Sequence, residues 1–291
     1  MLDGIKIELP NDEIFNLPFV EPNVKLIVAE STANIDKTFG FNNLFRISKS
    51  AKGVTSMRGS VHKYSHDGFN HTDFTISDVV TTVKKIINQY ELNPNKCIIK
   101  NIECGVNIQI PYEINKLFPY FFLLKTTQFD KSNGGQYLEV SRDEYSFKIY
   151  NKSLFFDKQV RGLDPNLALK CPKNLMRIEI KSKRKKTHSD KWGITTLNDL
   201  LQTSKWFPLV KSSFKERWKE TLMFDPTLDK DAINTEQYFQ WSNHINWINC
   251  EGQTKKRRLD NYKKALLNHS NQLHKVIGNT LLKKLDELNS K

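Results

Sequence analysis

The feature that most restricts the fold is an alternation of apolar and polar residues along residues 97–110. Successive side chains of a strand point to opposite faces, so a period of two residues indicates a strand with one buried and one polar face. The apolar side carries Ile102, Cys104, Val106, Ile108 and Ile110, and the polar side carries Glu103, Asn107 and Gln109. Glu103 is therefore predicted to lie on the polar face of a long strand.

Other strands are predicted on both sides of this one. The patterns place them at 5–9, 24–29, 44–48, 54–64 (after a turn at 51–53), 137–140, 145–152 and 175–181. In the last strand, Arg177 and Glu179 point away from the apolar residues. A helix at 76–90, capped by Asp73 or Thr75, lies between strands. This order predicts an α+β fold, an antiparallel-rich sheet with helices on one face, for which duplicated RRM-like or ferredoxin-like units are one possible arrangement.

The chain beyond Gly193 changes to helical patterns. Helices are predicted at 195–203, 211–223, 234–248 and 255–288. The segment Phe224-Asp225-Pro226 is the best candidate boundary. The predicted organisation is a domain at 1–224 followed by a helical C-terminal region at 225–291.

Charge restricts the class of partner. Lys and Arg outnumber Asp and Glu by 45 to 32, for a net charge of +13, which favours a polyanionic partner. Charge alone does not separate DNA from RNA or an anionic membrane. The four scattered cysteines indicate neither a zinc site nor a disulfide framework. The sequence lacks an apolar run of about 18 to 20 residues and a signal-peptide pattern, so we expect a cytoplasmic protein without a membrane partner.

Three histidines, His62, His66 and His71, lie within ten residues. Imidazole and carboxylate groups bind divalent cations such as Mg²⁺ or Mn²⁺. His62 or His71, with a carboxylate from a neighbouring strand, is therefore a candidate metal ligand. The alternative is a solvated turn whose histidines cap the helix or bond to the backbone.

Glu103 and Glu179 are acids on strands that are otherwise lined by Lys, Asn and Arg. Each is a candidate metal ligand. The alternative is an ordinary ion pair, such as one between Arg177 and Glu103. Proximity of these acids to the histidines would favour the metal site.

Tyr150 lies between Lys148 and Lys152 on one predicted strand face. Two flanking ammonium groups would lower the pKa of the phenol and neutralise an attacked phosphate, which makes Tyr150 a candidate nucleophile. The alternative is a tyrosine that packs between lysine stems.

Two basic runs are candidates for binding nucleic-acid phosphates. They comprise Lys181, Lys183, Arg184, Lys185 and Lys186, and then Lys255, Lys256, Arg257 and Arg258. The alternative is that these runs are solvated faces. No phosphate-binding glycine loop is present, so the sequence gives no support for ATP-driven unwinding.

Several motifs together resemble a known family. Their order is Gly59-Ser60-x-His62-Lys63-Tyr64, Asn70-His71-Thr72-Asp73-Phe74, Ile102-Glu103-Cys104-Gly105-Val106-Asn107, Phe147-Lys148-Ile149-Tyr150-Asn151-Lys152 and Leu175-Met176-Arg177-Ile178-Glu179-Ile180. This succession looks like the rolling-circle replication initiators of filamentous phages and related plasmids. The resemblance covers about half of the chain, from Ser56 to Leu201.

The resemblance implies a DNA nickase in a bacterial host cell. Tyr150 would attack the phosphodiester at an origin hairpin or single strand, leaving a 5′-phosphotyrosyl link and a free 3′-hydroxyl. Lys152 and Lys148 would assist. A Mg or Mn ion would be held by Glu103, His62 and His71, with Glu179 as an alternative ligand or as a residue that contacts the ligands. DNA contacts would come from Lys63, Arg177 and the two basic runs, and host helicase and polymerase would be partners.

One departure from the better-known initiators concerns the metal. Their central strand carries a His-hydrophobe-His motif, whereas this strand reads Ile102-Glu103-Cys104. Two alternative functions also fit the sequence. One is a relaxase or transposase-like strand transferase with the same tyrosine chemistry. The other is a non-catalytic DNA-binding regulator in which Tyr150 is a packing residue.

Overall fold

A computed structural model describes residues 1–10, 27–28, 37–42, 45–50, 54–160 and 171–290. The predicted strand at 24–29 lies mostly outside this range, as does the predicted turn at 51–53. The fold is a mixture of helices and antiparallel strands with a helical C-terminal region, as the sequence predicts. Of the described helices, none combines the length and apolar character that crossing a bilayer requires.

Two sheets contain the described strands. The strands are β1 (Leu2–Leu9), β2 (Ile27–Val28), β3 (Lys37–Asn42), β4 (Phe45–Ser50), β5 (Thr55–Ser60), β6 (Ile98–Gln109), β7 (Phe121–Leu124), β8 (Thr127–Gln128), β9 (Asp130–Ser132), β10 (Tyr137–Ser141), β11 (Tyr145–Asn151), β12 (Leu175–Ser182) and β13 (Thr221–Met223). The large sheet has the order β2-β3-β4-β5-β1-β6-β12-β11-β10-β9, and the small sheet has the order β13-β7-β8. Paired strands in both sheets are antiparallel.

Nine α-helices lie in the described residues. They are α1 (Val61–Ser65), α2 (Ile76–Gln89), α3 (Ile114–Leu117), α4 (Lys152–Val160), α5 (Thr203–Lys219), α6 (Thr235–Ser242), α7 (His244–Ile248), α8 (Gly252–His269) and α9 (Leu273–Ser290). Thr75 caps α2, where it forms a capping box with Asp78, so Thr75 and not Asp73 begins the helix.

The centre of the large sheet is the long strand β6, which pairs with β1 on one side and β12 on the other. The chain leaves β5, passes through α1 and α2, and returns as β6 on the far side of β1. Because β1 inserts an extra residue between its pairings Leu2 to Cys104 and Ile5 to Ile102, a bulge at Asp3-Gly4 lies beside β6. Whether the sheet consists of duplicated units stays a prediction.

The apolar side of the alternation is buried, as predicted, beneath helices. Ile102, Cys104 and Val106 are at most 1% exposed and belong to the main core. The helix α9 contacts β6, α5 and α2, and its apolar residues lie in the same core. The polar side of β6 is therefore on the opposite face of the sheet.

A second, smaller core lies under the helices α6 to α8. It contains Phe122, Leu123, Phe224, Leu228, Trp241, Trp247 and Tyr262. The helical C-terminal region thus contributes to two cores, since α8 packs on the small one and α9 on the sheet. The domain boundary after residue 224 stays a prediction.

Several elements have different bounds in the structure from those that the sequence predicts. The predicted helix at 255–288 is two helices, separated at residues 270–272, where Gln272 has a positive φ of 52°. Asn243 caps α7 and divides the predicted helix at 234–248. The predicted helix at 211–223 begins earlier, at Thr203, and its end is strand β13. The predicted helix at 195–203 is a short 3-10 turn at Asn198–Leu201, and the predicted strand at 54–64 ends at Ser60, where α1 begins.

Candidate functional site

An open cleft of about 890 Å³ lies on the polar face of the large sheet. Its walls come from β1, β5, β6, β10, β11 and β12, with one end formed by α4. The lining side chains that carry charge or a phenol hydroxyl are Asp3, Arg58, Lys63, Glu103, Tyr137, Lys148, Tyr150, Lys152, Lys158, Glu179 and Lys181. The sheet thus brings together residues that are far apart in the sequence.

Three carboxylates meet in the cleft, and we call Asp3, Glu103 and Glu179 the acidic cluster. Ligand oxygens of the three lie within 4.8 Å of one another. Glu103 comes from β6 and Glu179 from β12, and the pairing of Glu179 with Gly105 places them on the same face two residues apart. The β1 bulge adds Asp3 to that face. The structure thus brings Glu103 and Glu179 close together.

Two basic side chains pair with the three carboxylates of the acidic cluster. Lys148 Nζ lies 2.8 Å from Glu103 Oε2 and 3.4 Å from Glu179 Oε2. Arg177, only 1% exposed, donates from Nη2 to Asp3 Oδ2 and from Nε to Glu179 Oε1, each at 2.5 Å. The partners of Arg177 are thus Asp3 and Glu179, not the predicted Glu103. Because Arg177 is buried and fully engaged, its predicted contact with DNA is not available.

The pKa values follow this pairing. Burial would raise the pKa of Asp3, but Arg177 and the hydrogen bonds from Ser60 and Asn70 outweigh it and hold that pKa well below its usual range. Burial and the adjacent Glu179 raise the pKa of Glu103, against the opposing effect of Lys148. Asp3 therefore stays charged, and Glu103 takes up a proton more readily than an ordinary Glu.

Tyr150 donates a hydrogen bond from its hydroxyl to Glu179 Oε1 at 2.8 Å. Its ring stacks on Tyr137 with centroids 5.7 Å apart and meets Phe155 edge-on at 5.3 Å. Burial and the Glu179 carboxylate raise the pKa of Tyr150 well above its ordinary value. Deprotonation of this phenol therefore needs a base, and Glu179 is in contact with it.

The prediction that two lysines lower the pKa of Tyr150 is wrong. Lys148 is held by Glu103 and Glu179 instead. The strand β11 ends at Asn151, so Lys152 begins α4, where its ammonium donates to Asn70 Oδ1 at 2.5 Å. Burial and Arg177 lower the pKa of Lys152 to about 8.

The structure does not bring His62 or His71 into the acidic cluster. His62 is 2% exposed and stacks on Phe74 at 4.6 Å, and burial lowers its pKa to about 2. His71 packs on Phe156 at 3.9 Å and lines a different depression with Asn107 and Lys284. The predicted ligand set is corrected accordingly: among the described residues, the ligand atoms that lie together are those of Asp3, Glu103 and Glu179, with no imidazole nitrogen.

Four basic side chains, Arg58, Lys63, Lys158 and Lys181, line the cleft around the acidic cluster, and we call them the basic rim. Lys63 and Lys181 are predicted DNA-binding residues, and their place at the cleft is consistent with phosphate binding. Arg58 and Lys158 carry no sequence motif and were not predicted.

The other four residues of the first basic run, Lys183, Arg184, Lys185 and Lys186, do not line the cleft. Lys183 bonds to Ser141, and Arg184 and Lys186 pair with Asp143 at 3.7 Å and Glu144 at 3.2 Å, all on or beside the β10–β11 hairpin. Lys185 is exposed. Lys183, Arg184 and Lys186 thus have protein partners, and none of these four residues lines the cleft with the basic rim.

The second basic run lies on α8, remote in sequence from the cleft. Lys256 and Arg257 are exposed, while Lys255 is half-buried. Arg258 turns inward, where its guanidinium lies 5.9 Å from the Trp247 ring and bonds to the Asn246 carbonyl. Arg258 is therefore a packing residue, in contrast to its predicted role in DNA binding.

Sequence reasoning missed three polar residues of the site. Asp3 precedes the predicted start of β1, and only the bulge brings it to β6. Asn70 connects two parts of the site, because Nδ2 donates to Asp3 Oδ2 at 2.8 Å while Oδ1 accepts from Lys152. Ser60 donates to Asp3 Oδ1 at 2.5 Å. The Gly59-Ser60 and Asn70-His71 motifs were the available signals.

Comparisons with protein-family models, curated proteins and solved structures found no match to this chain. The resemblance to rolling-circle initiators therefore stays a prediction from the motifs.

Proposed function

We propose that this chain is a site-specific DNA nickase and ligase that starts rolling-circle replication through a covalent link between Tyr150 and DNA. One observation carries the proposal. The Tyr150 hydroxyl bonds at 2.8 Å to Glu179, a member of the acidic cluster, inside a cleft with a basic rim. A nucleophile, a base and phosphate-binding cations are the groups that phosphodiester transfer requires.

The chemical step uses the contacts of Tyr150. Glu179 Oε1 accepts the phenol proton as the Tyr150 oxygen attacks phosphorus. The bond from phosphorus to the 3′ oxygen breaks, and that oxygen takes a proton from solvent and leaves as a hydroxyl. The tyrosine then carries the 5′ phosphate of the downstream strand, and the reverse reaction rejoins the DNA.

The acidic cluster fits the divalent cation that the resemblance implies. Carboxylate oxygens within 4.8 Å of one another are the ligands that Mg²⁺ and Mn²⁺ prefer, so Asp3, Glu103 and Glu179 would hold it. Such an ion, when bound, neutralises charge on the scissile phosphate. Lys148 competes for the same oxygens, since its ammonium contacts Glu103 and Glu179.

The test is the covalent adduct. The purified protein is incubated with Mn²⁺ and a random-sequence single-stranded oligonucleotide library labelled at the 3′ end, and labelled protein is counted after denaturing electrophoresis. We expect an adduct with the wild type and none with Tyr150→Phe, which lacks the nucleophilic oxygen. Peptide mapping of the adduct identifies the attached residue.

Tyr137→Phe is the matched control, because Tyr137 stacks on Tyr150 in the same cleft but bonds to Glu139. We expect it to keep the adduct. An adduct that survives Tyr150→Phe, or a wild type that forms none, would overturn the proposal. If a chelator does not reduce adduct formation, the metal ion has no role in the reaction, and the assignment of Tyr150 as the nucleophile still stands.

A non-catalytic DNA-binding protein is the second candidate. The observation that favours it is that each acidic-cluster member already pairs with Lys148 or Arg177, so none of the three carboxylates depends on a metal ion for a cationic partner. This candidate predicts salt-dependent binding of the same library with no adduct and no Mn²⁺ uptake in a calorimetric titration.

A further inference from the structure

The helix α8 exposes a stripe of hydrogen-bonding side chains that the cleft does not use. Its members are Gln253, Arg257, Asn261, Lys264 and Asn268, and we call them the α8 stripe. All five are exposed. Within the described part of the chain, none of the five side chains makes a hydrogen bond or an ion pair. Their donors and acceptors are therefore available to a partner.

The spacing of the stripe places it along one face. Gln253, Arg257, Asn261, Lys264 and Asn268 follow one another at intervals of four, four, three and four residues. At 3.6 residues per turn, these positions fall within about 80° of arc around the helix axis. The opposite face carries Tyr262, which is 2% exposed. The helix thus has one face in the small core and one face toward solvent.

The small core fixes this helix. Trp247 of α7 meets the Tyr262 ring at 5.9 Å, and the Tyr262 hydroxyl donates to the Met223 carbonyl at 3.0 Å. Three residues, 249–251, join α7 to α8, and Gly252 then begins α8 with a φ of 54°, a left-handed conformation that glycine adopts without strain. A turn of three residues has the length that joins the two helices of helix-turn-helix DNA-binding units.

The residue types of the stripe indicate what it contacts. Arg and Lys bond to guanine, and Asn and Gln bond to adenine, in the major groove of DNA. Lys256 and Lys263 flank the stripe on one side, where phosphates of a bound duplex would lie. Asp260 is the one acid on the exposed face of this helix. The exposed face therefore carries four cations, on Lys256, Arg257, Lys263 and Lys264, and one anion. This excess of positive charge favours a polyanion over a neutral partner.

We infer that α8 is a recognition helix that lies in the major groove of double-stranded DNA, with the α8 stripe facing the base edges. A helix about 10–12 Å across matches a groove about 12 Å wide. Duplex DNA is favoured over single strands, because the stripe contains no aromatic side chain on which an unpaired base would stack. It is favoured over double-stranded RNA, whose deep, narrow major groove does not admit side chains.

This inference does not rest on the cleft. A nickase needs a means of selecting its origin, so the two proposals are compatible, but α8 would read duplex DNA equally in a protein without catalytic activity. The Tyr150→Phe variant should therefore select the same duplex sequence as the wild type. Failure of the adduct experiment and failure of the duplex experiment are separate results.

The experiment is selection of binding sites by the full chain from a random-sequence duplex DNA library. We expect the wild type to enrich a sequence motif. Arg257→Ala with Asn261→Ala should lower affinity for the selected duplex by roughly 25-fold or more, because two base-specific contacts are lost and each is worth roughly 5- to 150-fold. Arg257→Lys keeps the charge but loses the paired donors, so it should relax the base preference at one position and alter salt dependence little.

The matched control is Lys84→Ala with Asn88→Ala, two exposed residues with the same spacing on α2. We expect it to retain wild-type affinity and motif. Thermal melting verifies that both double variants are folded, which the exposed positions favour. A library without an enriched motif, equal binding by the two double variants, or a preference for single-stranded DNA or duplex RNA would each overturn the inference.

Discussion

The cleft and the α8 stripe both carry many charged and polar groups, but they hold them in opposite ways. In the cleft, Arg177 and Glu179 are at most 3% exposed and each bonds to several partners. On α8, Arg257 and Lys264 are exposed and have no partner among the described residues. The first arrangement fixes the position and proton affinity of each group. The second leaves donors free for an external ligand.

The difference separates two requirements of a DNA-processing protein. Chemistry at a phosphate needs groups that are preorganised and desolvated, because electrostatic effects are larger where water is excluded. Recognition needs groups whose bonds are still to be made, on a rigid frame.

The largest expected effect comes from replacing the same residue type in each region. Arg177→Met leaves Asp3 buried without its cation and leaves Glu179 with Lys148 alone, so we expect a loss of about 3–5 kcal/mol in the free energy of unfolding. Arg257→Met removes an exposed side chain, and we expect a change within about 0.5 kcal/mol. Urea denaturation measures both. Similar losses for the two variants would end the distinction between the regions.

A methyl group in the cleft should have the next largest effect. A Cβ at Gly105 would lie 2.5 Å from Arg177 Nη2 and 3.0 Å from Glu179 Cγ, so Gly105→Ala has to displace the buried pair. We expect it to lower the free energy of unfolding by about 1–3 kcal/mol. Gly4→Ala is the control in the same cleft, because its Cβ meets nothing closer than 3.4 Å. A Gly105→Ala protein as stable as Gly4→Ala would show that the packing here is loose.

The smallest expected effect concerns pH and the histidine beside the cleft. Burial lowers the pKa of folded His62 to about 2, whereas the ordinary pKa of histidine is 6.5. Between pH 2 and pH 6.5, His62 binds a proton in the unfolded chain but not in the folded one. The contribution of His62 to the free energy of unfolding is therefore fully present above pH 6.5 and decreases as the pH falls below that value. At pH 5.5 the loss is about 1.4 kcal/mol.

His62→Phe keeps an aromatic ring against Phe74 and removes the titrating group. We therefore expect its urea midpoint to fall less than that of the wild type between pH 7.5 and pH 5.5. The slope of the urea midpoint against pH reports the binding of the proton, whereas the midpoint at pH 7.5 reports any change in packing that His62→Phe causes. Parallel slopes would contradict the burial of a neutral imidazole.

The fold could be predicted from local patterns to the extent that those patterns are periodic. The alternation in 97–110 and the Arg177–Glu179 strand identified β6 and β12 and the face on which their acids lie. Helix ends were less predictable, because Asn243 and Gln272 interrupt long periodic runs through local backbone geometry. The sequence predicted some of the residues of the site and misplaced others. Glu103, Glu179, Tyr150 and Lys148 do line one cleft, whereas His62 and His71 do not join them.

The sequence by itself determined that the chain is basic, that it contains a sheet with one polar face, and that the acids and Tyr150 lie on polar strand faces, because these properties depend on composition and on a period of two. Only the tertiary structure decided which charges meet. Strand order placed β12 between β6 and β11, a bulge brought Asp3 to Arg177, and the resulting burial raised the pKa of Tyr150 that the flanking lysines were predicted to lower. Pair distances and desolvation depend on contacts between distant segments, which no local pattern encodes.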